Sequence, residues 1–444
     1  MAGHFNNRGH MPEQVFNTNT NHPLTPSSQE YIYYKKFVSI HSEDRDITKY
    51  PLSSEFEIEM PQDMLNIISL RLSEWSFPSN YNTFSVLNEN VDMTFKVNNP
   101  YNPNVVIDFN PDILTQKIYE FLFINQNNEY SIQISDGFYN PQQMATELTN
   151  RFNTAVTASL TSYLTTQSVS TTLDPNPVIN AQLQQEYIDA LTDLTSAGGY
   201  TRFVIVYNTV EQKIWFGNIC DGFILTNETQ FTTIKGEAGL SCLNRNRVPN
   251  YSDWGLPGNI GLSRSNVISV TGASITNVGV NAVPRFFYGD VFPGDNGYWL
   301  QPDPSLLGSS VNWAECAYKI NLMGPAFIYM ELEGQNCIDE TSPYNLNEFT
   351  IKTNETNGIA NSSFAKIAVP TTPLAQWFDR DSQPYKFYYP PAERIRKLKI
   401  RLRYHDGELV NFGVFNYSFS IEFVLQLPQI LRNSNTVKHP PRLY

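Results

Sequence analysis

Residues 39–61 read SIHSEDRDITKYPLSSEFEIEMP, and within them the carboxylates of Glu43, Asp44 and Asp46 surround the guanidinium of Arg45. Such a cluster has two chemical uses, holding a divalent cation or moving protons in catalysis. A calcium loop of the helix–loop–helix type needs a glycine at its sharp turn and a closing glutamate, and neither stands at the required offset. Arg45 is placed to neutralise its acidic neighbours. Short polar side chains ahead of a strand commonly cap turns through local hydrogen bonds. The stretch therefore reads as structural: Asp44, Arg45 and Asp46, with a turn set by Tyr50 and Pro51, guide the chain into a β-strand.

Other chemistry is thinly represented. Of six histidines, His4, His10, His22 and His439 lie in terminal segments, so a Ser-His-Asp arrangement has to use His41 or His405. His405 directly precedes the turn pair Asp406-Gly407 and reads as an exposed strand end, and His41 belongs to the strand leading in. The sequence has no G-x-S-x-G elbow, phosphate loop, dinucleotide fingerprint or H-E-x-x-H. Cys220, Cys242, Cys316 and Cys337 have neither C-x-x-C spacing nor a nearby histidine, which argues against zinc. They read as buried free thiols of a protein assembled inside a cell. Paired carboxylates for glycoside hydrolysis would need two of the 43 acidic residues, and nothing singles out a pair. The expectation is a protein that is not an enzyme, with no catalytic residue, metal or cofactor.

The 444-residue chain suffices for two ordinary domains or one elaborated one. Hydrophobic residues make up 41% and aromatic residues 13%, so a sizeable core is expected. Charged residues reach only 16%, against about 25% in an average soluble domain. A polar, weakly charged surface suits a protein covered by neighbours. The net charge of −13 and pI near 5.0 argue against sequence-independent nucleic-acid binding, which needs Lys and Arg to replace phosphate counterions. The start, MAGHFNNRGHMPEQ, lacks the apolar core of a secretory signal, and no run of about 18 apolar residues predicts a transmembrane segment.

Most elements that must position these residues are strands. Residues 1–36 form a polar arm rich in Asn, Gln, His and Thr, expected to be flexible alone. From Phe37 onward the texture is β. Phe56, Ile58 and Met60 alternate with Glu55, Glu57 and Glu59 in a strand closed by Pro61, and a second strand runs through Ile68, Leu70, Leu72 and Trp75. Residues 93–97 and 119–124 read as short strands, as does YSIQIS at 130–135. A helix follows over 140–156, capped by Asn140 with Pro141 at its first position; Met144, Leu148, Phe152 and Val156 form its apolar stripe. A second helix is expected over 181–197, stopped by Gly198-Gly199, and a hairpin over 202–218. Residues 236–315 read as long loops with short strands. Four strands close the chain at 327–334, 364–370, 396–405 and 419–428.

In the third of these, Leu398, Ile400 and Leu402 point one way and Lys397, Lys399, Arg401 and Arg403 the other. The basic stripe is either a solvated face or a candidate contact with an acidic protein surface. Nucleic acid fits it least, because no aromatics are interleaved.

Several of these stretches together resemble capsid-associated structural proteins of large nucleocytoplasmic DNA viruses. The resemblance rests on Asp44-Arg45-Asp46, Tyr50-Pro51, the strand Phe56–Pro61, the strand ending in Phe77-Pro78, and YSIQISDGFYNPQQMATELTNRFN at 130–153. The closing order AFIYMELEG, NSSFAKIAVP, the basic strand with Asp406-Gly407 and FSIEFVLQL agrees with it. It covers roughly 37–153 and 321–428, and the middle matches only at the hairpin. It implies a mainly β protein: a jelly-roll β-sandwich built from the N- and C-terminal thirds, with an inserted α/β and loop-rich middle. The expected divisions are 1–36, 37–158, an insertion at 159–320, closing strands at 321–430 and a tail at 431–444. The implied role is a penton or minor capsid protein. It would be located in the virion, assembled in the host cytoplasm, and in contact with the major and other minor capsid proteins. A homo-oligomer is expected, a pentamer if it is a penton. The alternatives are a carbohydrate- or receptor-binding β-sandwich of a virion surface structure and a glycosidase-type enzyme.

Overall fold

A computed structural model describes residues 31–78, 83–86, 88–105, 109–228, 255–274, 299–341, 360–369, 377–379, 383–405 and 407–428. Residues 1–30, the tail 431–444, Cys242, Asp406 and much of the stretch 236–315 lie outside the described residues.

Strands β1 (Tyr31–His41) and β2 (Glu55–Phe77) come first. A long middle segment holds β3 (Asp92–Asn99), α1 (Ile113–Ile124), β4 (Glu129–Gln133), α2 (Pro141–Ser168), α3 (Pro177–Ser196), β5 (Phe203–Asn208), β6 (Lys213–Asn218), β7 (Gly222–Leu225), β8 (Val267–Ile268), β9 (Val270–Ser274) and β10 (Ser310–Glu315). The chain returns as β11 (Phe327–Leu332), β12 (Ile338–Thr341), β13 (Ala360–Ser363), β14 (Ala365–Ala368), β15 (Trp377–Asp379), β16 (Lys386–Arg403) and β17 (Ser418–Pro428).

The protein is mainly β, and its described ladders are antiparallel. One sheet joins the two ends of the chain in the order β1-β17-β2-β16-β11-β14, with β15 also on β2. β1 and β17 pair without a register shift from Tyr31↔Pro428 to His41↔Ser418. β1 thus begins at Tyr31, ahead of the Phe37 where the sequence texture turns β. Lys35-Lys36 interrupts the apolar alternation there, but Lys35 has a buried acidic partner on β17.

β2 is one strand, not the two that Pro61 suggests. The β2–β16 ladder shifts register between Ile395 and Lys397, opposite the stretch Glu59–Met64 that contains Pro61. A proline lacks the N–H a regular ladder needs and is tolerated where the ladder is broken. A second shift lies between Phe387 and Ala392, and Asn66 has a positive φ of 52°. Such bulges bend strands from one layer into another. The two halves of β2 and β16 accordingly line a single core from two sides. Val38, Leu72, Phe419 and Phe423 come from one side, and Phe56, Met330, Ile367 and Ile400 from the other. Burying each such side chain contributes about 1.5–3 kcal/mol.

The middle segment has its own core. Sheets β5-β6-β10-β9 and β4-β3-β7-β8 pack with α1, α2 and α3 around Phe95, Phe152, Phe203, Phe216 and Phe223. Asn140 caps α2 by accepting from the Gln143 backbone N–H, while the Gln143 side chain accepts from the Asn140 N–H. The helix continues past 156 to Ser168, because Leu160 and Leu164 extend the buried stripe. α3 starts at Pro177 behind the cap Asn176, repeating the Asn-Pro signal of α2. Residues 119–124 are helical, not a strand: they end α1, whose buried Ile118, Phe121 and Leu122 recur at helical spacing.

Candidate functional site

The lead-in turn is built around Arg45. Beyond β1, Ser42–Asp44 form one 3-10 turn. The Arg45 guanidinium donates from Nε to the Tyr50 carbonyl (3.0 Å) and from Nη2 to the Pro51 carbonyl (3.3 Å). Nη1 donates to the Ser42 carbonyl and to Asn416 Oδ1, both at 2.6 Å. Its partners are carbonyls and an amide, not the neighbouring carboxylates. A planar fork of donors suits carbonyls converging at a turn, while Glu43 and Asp44 stay exposed to water. Asp46 folds the turn locally, accepting at Oδ1 from the Thr48 hydroxyl (2.6 Å) and the backbone N–H groups of Thr48 (3.0 Å) and Lys49 (3.3 Å). These bonds, the hydroxyl first, hold its carboxyl below the usual aspartate range. The Lys49 ammonium lies 4.9 Å from the Tyr50 ring centroid.

The same turn fastens the loop between β16 and β17. Ser42 N–H donates to the Tyr417 carbonyl (2.9 Å), Tyr417 N–H to Ser42 Oγ (2.9 Å), and Ser53 Oγ to the Phe415 carbonyl (3.0 Å). Exposed on these two pinned loops are the apolar side chains of Ile47, Leu52, Val414 and Phe415.

The basic stripe of β16 is brought together as its spacing predicts, and it is already matched. Lys397 pairs with Glu57 (3.0 Å) and Glu59 (3.5 Å) of β2, Lys399 with Glu333 (3.4 Å), and Arg401 with Glu331 (3.9 Å). The bond between Lys397 and Glu57 raises the lysine pKa and lowers that of the glutamate. Arg403 is 2% exposed and bonded to Glu331 and Glu340, so its side chain is an internal group and the candidate contact stops at Arg401. His405 Nδ1 lies 3.2 Å from Glu340.

Three buried polar clusters escape sequence analysis. Glu422 on β17 is held by Lys35 (2.6 Å), Arg71 (2.7 Å) and the Tyr385 hydroxyl (3.3 Å), with the Arg71 guanidinium 4.6 Å from the Tyr385 ring centroid. Burial pushes the Glu422 pKa up, but the bonds from Lys35 and Arg71 outweigh it and leave it low. In the middle segment the fully buried Asp221 accepts from Tyr101 N–H (2.8 Å) and the Tyr200 hydroxyl (2.6 Å), with Arg202 at 4.0 Å. Burial drives the Tyr200 hydroxyl and the adjacent Cys220 thiol to higher pKa. Glu120 accepts from the Tyr163 (2.9 Å) and Tyr187 (2.7 Å) hydroxyls, tying α1 to α2 and α3. Burial there pushes Tyr163 up to about 12. Each cluster joins residues far apart in sequence, which local patterns do not reveal.

Among the described residues no group of three His, Cys, Asp or Glu is arranged to hold a metal, and Cys220, Cys316 and Cys337 are free thiols. No described helix is long and apolar enough to cross a membrane.

No family model matches the chain, and no curated protein sequence matches it. Two solved structures are similar over most of its length. One is that of the Sputnik virophage by cryo-EM (9% identity, TM-score 0.35, covering 90% of this chain and 98% of that one). The other is the mavirus penton protein (9% identity, TM-score 0.34, covering 90% and 100%).

Proposed function

We propose that this chain is a structural component of an icosahedral DNA-virus capsid. It acts as a penton or minor capsid protein of jelly-roll type, located in the virion and assembled in the host cytoplasm. Its work is contact with the major and other minor capsid proteins and with copies of itself, as a pentamer if it is a penton, and it performs no catalysis. The observation that carries this reading is the pair of loops fixed by Arg45, which hold four large apolar side chains in water at one end of a sandwich closed by both ends of the chain. Rigid exposed apolar groups lose little entropy on docking, which suits a protein buried by neighbours. The paired strip of Lys397, Lys399 and Arg401 is the accessory contact, adding specificity more than affinity.

The fate of the aromatic side chains favours this reading over the sugar-binding alternative. Phe77, Phe412, Tyr417 and Phe419 stack on one another inside the sandwich, and Phe95, Phe152, Phe203 and Phe223 inside the middle segment. Their rings fill cores and so are not offered to a ligand.

Native mass spectrometry of the purified chain, with fractionation of virions from infected cells, tests the proposal. Closed oligomers and co-purification with capsid shells are expected. A monomer absent from shell fractions sends the search to ligands, beginning with glycans.

A further inference from the structure

A second set of exposed apolar side chains, opposite in charge to the first, lies where the chain re-enters the sandwich. The chain returns from the middle segment through residues 318–327, exposing Tyr318, Met323 and Phe327. The Lys366 ammonium of β14 sits 3.9 Å from the Phe327 ring centroid, and Lys319 donates to Gln212 Oε1 at 3.2 Å. Among the described residues neither lysine has a carboxylate partner, unlike Lys397 and Lys399. The loops pinned by Arg45 are the counterpart. Val414 is 89% exposed and Ile47 62%, and the same loops carry the exposed carboxylates of Asp44 and of Glu43, which lies 4.0 Å from His41 Nδ1.

The strand register fixes where the two patches lie. His41 pairs with Ser418, so the pinned loops stand at the end of the sandwich where β1 finishes and β17 begins. The ladder from Tyr329↔Arg403 to Leu332↔Ile400 puts the start of β11 beside the end of β16, which leads into the same pinned loop. Both patches therefore sit at one end of the sandwich. In strand order the Phe327 patch belongs to β11 and β14, at the far end of the sheet from β1, which leads into the pinned loops.

We infer that a second copy of this chain docks here. The acidic, apolar loops of one copy seat on the basic, aromatic patch around Phe327 and Lys366 of the next. A contact between two different patches is head-to-tail, and repetition of such a contact closes a ring when the rotation permits. Charge complementarity sets the register, and the apolar groups supply the buried area. The inference rests on the structural role proposed above and names the self-contact within it.

The test uses the full chain, with native mass spectrometry and sedimentation velocity over a concentration series. The variants are E43K/D44K on the loops and K366E on the patch, all at exposed side chains. The wild type is expected to form a closed ring that weakens with salt. Each variant should need at least roughly tenfold higher concentration to assemble. Mixing the two should restore assembly, because each variant then meets a patch of opposite charge on the other, and combining all three changes in one chain should likewise restore the ring. Rings unmoved by either variant overturn the contact while leaving the structural role standing. A wild type that stays monomeric and is missing from capsid shells overturns both.

Discussion

Single residues hold this fold through partners far away in the chain. Glu422 is 1% exposed and bonded to Lys35 and Arg71, so it pins β1 and β2 to opposite sides of β17. Glu422→Gln leaves two cations facing a neutral amide, and because Lys35 is half exposed and Arg71 partly exposed the change should cost about 1–2 kcal/mol. Urea denaturation should show that loss; an unchanged midpoint would mean that water already screens the pair. The pH dependence follows from the lowered pKa of Glu422. Its stabilisation is complete above the unfolded glutamate value of about 4.3 and fades as pH falls through the lower folded value. The Gln variant should therefore lose less stability on acidification across that window. Arg45→Lys should cost about 1–2 kcal/mol, because an ammonium cannot reproduce the fork to Tyr50, Ser42, Pro51 and Asn416. Wild-type stability in that variant would remove the fork from the account. Arg45 could be singled out from the sequence as structural, but its partners could not. Glu43 and Asp44 are its visible neighbours, whereas Asn416 meets it only after the chain has closed. The same blindness hid Glu422, which alternation reads as one more outward polar residue.

Elements were legible where one local rule acted alone. The cap Asn140, the proline after it and a four-residue stripe specify α2, and the glycine pair specifies where α3 ends. Gly199 has a φ of 95°, and its N–H bonds the Leu194 carbonyl at 2.9 Å. A Cβ added there would stand 2.7 Å from Thr157 Oγ1 on α2. Gly199→Ala meets both a left-handed backbone and this contact, and should cost about 1–2 kcal/mol or more by thermal melting. An unshifted melt would show that the turn relaxes without loss. Legibility failed where two rules competed. YEFLFI has the aromatic, apolar look of a strand, yet α1 buries Lys117 against Glu120 and stacks its face on α3, and tertiary packing decides. Pro61 reads as a strand end by itself and becomes a tolerated residue once a bulge lies opposite it.

At the scale of the molecule, the sandwich and the middle segment bury separate cores with no buried residue in common. The chain leaves the sandwich after Phe77 and re-enters it at Phe327, so each core closes on its own contacts. Their order of folding cannot be alike. The middle segment is continuous in sequence and rich in local helical contacts. The sandwich must bring Tyr31 to Pro428 and Glu55 to Arg401 before its sheet exists, which makes it the slower unit. Separate cores are also the condition under which a chain unfolds in more than one step. Phe152→Ala and Ile421→Ala each empty a fully buried site, one per core, and should cost about 3–5 and 2–5 kcal/mol. Calorimetry of the wild type should resolve two transitions, with Phe152→Ala lowering one and Ile421→Ala the other. Hydrogen exchange should assign the transitions to the amides of α2 and β17. If both substitutions lower one shared transition equally, the two cores are coupled across the crossings at Pro78 and Ala326. The sandwich and the middle segment would then melt as one cooperative unit despite their separate cores.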